Sequence, residues 1–164
     1  MQPTKTRSNL VTTANSTITF GLSQITIEHI NAMAKGQAQV SLSSDKGFKE
    51  TIEKGANFLK NLLQEDGVIY GVTTGYGDSV TEQVPLAKVH ELPLHLTRFH
   101  GCGLGDTFSV EETRAILGAR LTSLTQGYSG VTWELLEQLE TLLRHDIMPR
   151  IPQEGSVGAS GDLT

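Results

Sequence analysis

The chain has 164 residues, 19% of them charged and 37% apolar, with a formal net charge of -5. That length suits one domain with a real core, and the acidic balance provides no basic field to draw in nucleic acid or an anionic membrane. The apolar runs are far too short to span a bilayer and the N-terminus lacks the apolar centre of a secretory signal, so the sequence reads as cytoplasmic with no membrane partner. The single cysteine, Cys102, excludes an internal disulfide and a cysteine-rich metal cage, and reads as a small buried side chain.

Residues 1–16 are rich in Thr, Ser, Asn and Gln and poor in large apolar groups, which predicts a flexible tail ahead of one domain over 17–164. The alternation in Thr17-Ile18-Thr19-Phe20 and in Gln39-Val40-Ser41-Leu42 predicts two short half-buried strands. Between them Thr26 can cap a short helix carrying Ile27, Ile30 and Met33 at helical spacing, with Gly36 as its stop. A longer helix is predicted from Asp45 to Gln64, with Phe48, Ile52, Ala56, Leu59 and Leu63 as its apolar stripe. Glu50 stands four residues before Lys54 on it, and Gly55 weakens it by about 1 kcal/mol.

A further helix covers Leu86 to Cys102, where Pro93 either kinks it or marks its real start. Ser109-x-x-Glu112 is a capping box, followed by Ala115, Ile116, Ala119 and Leu124 and stopped near Gly127. The last helix, near Val131 to His145, buries Leu135, Leu139, Leu142 and Leu143 before Pro149 and Pro152 force an extended exit. The fold class is therefore mainly α with a few short strands.

Nine of the 17 glycines fall in three short clusters: Gly71, Gly75 and Gly77; Gly101, Gly103 and Gly105; Gly155, Gly158 and Gly161. Such loops make turns or let backbone approach a ligand closely. The second cluster follows a helical pattern instead of a strand, and no Gly-x-x-x-x-Gly-Lys run exists, so neither a dinucleotide fingerprint nor a nucleotide P-loop is supported. In the third cluster Asp162 stands where a hydrolase elbow around Ser160 needs its second glycine. Ala159-Ser160-Gly161 has another chemical use. Gly161 lacks a Cβ, so its amide nitrogen can approach and attack the Ala159 carbonyl, closing a five-membered ring. Loss of water and elimination of the Ser160 hydroxyl then leave a conjugated methylene carbon, a strong electrophile.

Three segments carry a resemblance: Tyr70-Gly71-Val72-Thr73-Thr74-Gly75-Tyr76-Gly77; Gln126-Gly127-Tyr128-Ser129-Gly130-Val131; and Ile151-Pro152 with Gly155-Ser156-Val157-Gly158-Ala159-Ser160-Gly161-Asp162-Leu163. In residues, order and separation the chain resembles the N-terminal portion of the aromatic amino acid ammonia-lyase family, which includes histidine, phenylalanine and tyrosine ammonia-lyases and related aminomutases. The resemblance implies an N-terminal α-rich domain leading into a long helical bundle that this sequence lacks. It implies that Ala159, Ser160 and Gly161 form 4-methylideneimidazol-5-one, assisted by Asp162, with no metal and no nucleotide. It also implies that Tyr70 is the catalytic base, removing a β-proton from an aromatic L-amino acid whose α-amine the electrophile holds. Backbone N–H groups of the Thr73 to Gly77 loop would stabilise its phenolate, which places Gly77 in the substrate site.

The family's two-residue substrate code falls on Phe99 and His100. His100 can hydrogen-bond a phenol or an imidazole, whereas Phe99 suits a phenyl ring, so tyrosine or phenylalanine is favoured with histidine open. Pro93 and His95 stand where relatives more often carry Gln and Asn, and Thr122 replaces a commoner Asn. The expected activity is a carbon–nitrogen lyase giving an aryl acrylate and ammonia. Its alternatives are a 2,3-aminomutase of the same family and a non-catalytic truncated helical partner subunit. Because the sequence stops at Thr164, the segment alone is expected to be inactive, completed by a C-terminal portion or a second chain within a homotetramer, against which the apolar faces of the last two helices would pack.

Overall fold

The computed structural model describes residues 16–65 and 67–155. The expected tail lies outside them apart from Ser16, which opens the first strand, and so do Ala159, Ser160, Gly161 and Asp162. The architecture is mainly helical with a few short strands, as the sequence indicates.

Strand β1 (Ser16–Phe20) and strand β2 (Ala38–Leu42) pair in parallel, Ser16 opposite Ala38 and Phe20 opposite Leu42, across helix α1 (Ile27–Ala34). Alternate residues Ile18, Phe20, Ala38 and Val40 point into the core, as period-two patterning requires. Helix α1 starts in a capping box: Thr26 accepts from the His29 N–H, and the His29 ring accepts from the Thr26 N–H. Its inner face is Met33 and Ala34, whereas Ile27, expected on the apolar stripe, faces outward.

Helix α2 (Lys46–Gln64) is capped by Asp45, which accepts from the Phe48 N–H at 2.8 Å. Only Ile52 of the expected stripe is fully buried, because the C-terminal half of α2 runs past the edge of the core. The ion pair on its surface joins Lys49 to Glu53 at 3.8 Å, one residue before the Glu50–Lys54 pair expected from spacing. At Gly55 a Cβ would stand 3.2 Å from the Gly127 carbonyl, so this helix-weakening residue permits a close approach of two backbones.

The chain then makes two 3₁₀ turns, Gly77–Thr81 and Leu86–Lys88, before helix α3 (Leu92–His100). Pro93 lies in the first turn of α3, so it marks the true start and the expected helix from Leu86 is shorter than its pattern. Strand β3 (Leu104–Thr107) and strand β4 (Pro152–Glu154) form an antiparallel pair, Leu104 opposite Glu154 and Thr107 opposite Pro152. Cys102, expected to be buried, is exposed: it lies in the connection between α3, which has no fully buried residue, and β3, whose first three residues are exposed.

Helix α4 (Val110–Leu124) begins at the predicted capping box, with Ser109 accepting from the Glu112 N–H at 3.2 Å and Glu112 accepting from the Ser109 N–H at 2.8 Å. The Ser109 hydroxyl, and after it the Ser109 N–H, holds the Glu112 carboxyl below the usual carboxylate range. A folded-state value below the unfolded one means that the cap stabilises above the ordinary range and is lost as pH falls through Glu112's own lower value. Glu112→Gln should therefore flatten part of the fall in thermal midpoint as pH drops through and below the usual carboxylate range.

The buried face of α4 is Thr113, Leu117, Gly118, Leu121 and Leu124. The expected face is displaced: Ile116 and Ala119 are exposed because α1 and α5 approach α4 from two sides and define a different arc. Helix α5 (Trp133–Arg144) buries Trp133, Leu136 and Leu143, while Leu139 and Leu142 pack at the core margin and Leu135 is largely outside. The inner stripes of α4 and α5 thus cover β1, β2 and each other, and do not form the free apolar faces expected of them. Glu140 joins the layers by accepting the Leu42 N–H at 3.0 Å.

At Gly118 a Cβ would sit 1.7 Å from Cε of Met33, itself 1% exposed. Gly118→Val should lower stability by about 1–3 kcal/mol through overpacking, read from the urea midpoint at unchanged m.

Candidate active site

Tyr70 sits in a turn built by two threonines. The Thr73 hydroxyl accepts the Ile69 N–H at 2.8 Å and donates to the Gly67 carbonyl at 3.1 Å, and the buried Thr74 hydroxyl accepts the Gly71 N–H at 3.1 Å. These bonds satisfy the backbone on both sides of Tyr70 within the turn. Val84 and Gly75 close the loop, their N–H groups donating to the carbonyls of Thr73 and Glu82. The sequence motif alone assigns these two hydroxyls no role; their signal is the Thr-Thr pair between Gly71 and Gly75.

Across that turn the Gly77 N–H donates to Oη of Tyr70 at 2.9 Å. Gly77 has φ 56°, a left-handed conformation that glycine adopts without strain. The backbone donor fixes the phenol oxygen at one point of the turn, as a proton acceptor that must meet a substrate hydrogen requires. The Tyr70 side chain is 61% exposed and takes no part in the core.

A row of rings leads from this oxygen-holding loop to the end of α3. Tyr70 meets Tyr76 edge-on at 6.1 Å between ring centres, Tyr76 meets His100 at 6.5 Å, and His100 meets Phe99 at 5.0 Å. Tyr70, Gly77, Phe99 and His100 are thus brought into one region although some 30 residues separate them in sequence. Phe99 is 84% exposed, and Nδ1 of His100 is shielded from solvent yet has no hydrogen-bond partner among the described residues. An exposed aromatic ring beside an unsatisfied polar atom is an arrangement that an aryl ligand with a polar edge would complete. Strand β4 leads to Gly155, with Glu154 paired opposite Leu104, four residues after His100. His95 lies one turn earlier on α3, 3.5 Å from Glu91.

Residues 25–164 match the family model described as aromatic amino acid lyase. The chain belongs to the aromatic amino acid lyase family. It is 36% identical over 139 residues to histidine ammonia-lyase of Staphylococcus aureus, which covers 85% of this chain and 27% of that protein. Its fold is similar to tyrosine aminomutase of Streptomyces globisporus, with TM-score 0.79 and 34% identity over 88% of this chain and 27% of the other. It is also similar to the ergothioneine-degrading enzyme ergothionase of Treponema denticola, with TM-score 0.79 and 26% identity over 87% of this chain and 28% of the other. The chain therefore spans about a quarter of the length of the relatives it matches. Among the described residues no three His, Cys, Asp or Glu side chains gather as a metal site, and no helix is long and apolar enough to cross a membrane.

The described residues fit a self-formed imidazolone group. They offer a hydrogen-bonded phenol, aromatic rings and a shielded imidazole nitrogen without a partner among them, groups suited to an electrophilic ring and an aryl side chain.

Proposed function

We propose that this chain supplies the base, the aryl-binding edge and the electrophile-forming tripeptide of an enzyme that removes the α-amino group of an aromatic L-amino acid. The observation that carries the reading is the 2.9 Å bond from the Gly77 N–H to Oη of Tyr70, at the head of an aromatic row ending in His100 and Phe99. The imidazolone made from Ala159, Ser160 and Gly161 supplies an electrophile for the substrate amine, turning a poor leaving group into a good one. Tyr70, as general base, takes the proton from Cβ; the electrons of that C–H bond form the Cα–Cβ double bond, and the nitrogen departs with the Cα–N pair. The Gly77 N–H holds that oxygen in place for the transfer. Phe99 offers an apolar contact to the aryl group and His100 a hydrogen bond to a phenol or imidazole substituent.

In the lyase reading the products are an aryl acrylate and ammonia. In the second reading, a 2,3-aminomutase, the same elimination is followed by return of the amine to Cβ and of a proton to Cα. The likeness to tyrosine aminomutase, at 34% identity and TM-score 0.79, supports that second route, as the 36% identity to histidine ammonia-lyase supports the first. The carboxylate-binding and amine-binding groups come from a C-terminal portion or another chain. The outward-facing Phe99 and Tyr128 would be covered on assembly into a homotetramer.

Incubating the active enzyme with L-tyrosine, L-phenylalanine and L-histidine and identifying the products separates these readings. A β-amino acid supports the aminomutase, an aryl acrylate with equimolar ammonia supports the lyase, and no conversion of any of the three overturns both.

A further inference from the structure

Tyr76 occupies the middle of the aromatic row, and the proposed reaction uses it neither as donor, acceptor nor base. Its ring meets Tyr70 at an interplanar angle of 88° and His100 at 68°, so it touches the base on one side and the aryl-binding pair on the other. It also lies over Gly71, where a Cβ would come within 2.6 Å of Cε1 of Tyr76 and where φ is +70°. Any other residue at 71 would strain the backbone and displace the ring. The Tyr76 carbonyl accepts the Ser79 N–H at 3.0 Å and so opens the 3₁₀ turn. The peptide that follows Tyr76 presents the Gly77 N–H to the Tyr70 oxygen. The ring packed against the base and the donor on its oxygen therefore come from one residue and its next peptide. Tyr70 is mostly exposed, so a surrounding core does not fix its orientation.

We infer that Tyr76 is a positioning residue: its ring sets the attitude of the Tyr70 phenol toward Cβ and ties that attitude to the aryl-binding end through His100. The inference rests on the proposed role of Tyr70 as base. A hydroxyl is not needed for edge-to-face packing, whereas a flat ring is. Displacing a reacting group by about 1 Å can cost up to about 10²-fold in rate.

The test compares Tyr76→Phe, Tyr76→Leu and Tyr76→Met with Tyr70→Phe in the active enzyme. The probe is whichever of L-tyrosine, L-phenylalanine and L-histidine it converts, with and without deuterium at Cβ. Tyr76→Phe should keep kcat within about twofold, since the ring contact survives. The Leu and Met variants should lose about 10- to 100-fold in kcat with a smaller change in KM, and their isotope effect on kcat should rise as Cβ–H cleavage becomes slower relative to other steps. The Met variant retains side-chain bulk should the Leu variant fail to fold. Parental kcat in both, a loss with no change in isotope effect, or an equal loss in Tyr76→Phe overturns the inference while leaving the base assignment intact. Parental kcat in Tyr70→Phe instead overturns the base assignment, and this inference with it.

Discussion

Tyr70→Phe should lower kcat of the active enzyme by about 10²–10⁴-fold, the range expected when a positioned general base is removed. The change deletes one oxygen. That oxygen is the acceptor for the Gly77 N–H at 2.9 Å, and the ring contact to Tyr76 is untouched by its loss. Because the side chain is mostly exposed, stability should change by no more than about 0.5 kcal/mol, so a lost rate cannot be blamed on unfolding. Substrate binding is dominated by the aryl contacts at Phe99 and His100 in this proposal, so KM should move far less than kcat. Measuring kcat, KM and the urea midpoint on one preparation checks all three statements. A variant within a few-fold of the parent would assign proton abstraction to another group.

What the sequence discloses here is the local chemistry of chain ends and turns. Thr26, Asp45 and Ser109 announce three helix starts because a side-chain oxygen on a free N–H is a contact between residues three apart, needing nothing from the rest of the fold. Pro93 marks the start of α3 equally locally, since its missing N–H costs nothing in a helix's first turn. The β3–β4 pair is different: Leu104 and Glu154 are fifty residues apart, the strands are short, and Gly103 and Gly105 suppress any strand pattern. Burial is also a property of neighbours. Ile116 looks like a core residue on α4, yet α1 and α5 cover the arc through Leu117, Gly118 and Leu121.

At the candidate site the same division holds. The Tyr70 motif and the Phe99-His100 pair are each visible as short runs, but the row that joins them runs through Tyr76, whose partners are six and 24 residues away. The tight spacing of Gly71, Gly75 and Gly77 hints at a close approach without saying what approaches. The answer is partly intramolecular: a ring over Gly71 and an N–H from Gly77. Phe99, near the end of α3, and Tyr128, in the loop after α4, are left outside, where burial is decided by neighbours that a short run does not specify.

Ser160→Ala should abolish turnover, by about 10³-fold or more, because removal of a covalent centre leaves only what binding and general electrostatics supply. Two waters must leave for the electrophile to form: one on attack of the Gly161 nitrogen on the Ala159 carbonyl, one on elimination of the Ser160 hydroxyl. The parental peptide spanning Ala159-Ser160-Gly161 should then be lighter than its sequence mass by about 36 Da, as a covalent self-modification demands. Alanine has no hydroxyl to eliminate, so the variant can lose one water at most and carries no methylene carbon for an amine to attack. Tyr70→Phe, by contrast, should retain the full two-water loss, since the phenol acts on substrate and has no part in ring closure. The pair of masses thus separates failure to make the electrophile from failure to use it. An active parent whose 159–161 peptide has its unmodified mass would remove the imidazolone from the mechanism. It would also leave Tyr70 facing a β-hydrogen of ordinary acidity and an amine with no means of leaving.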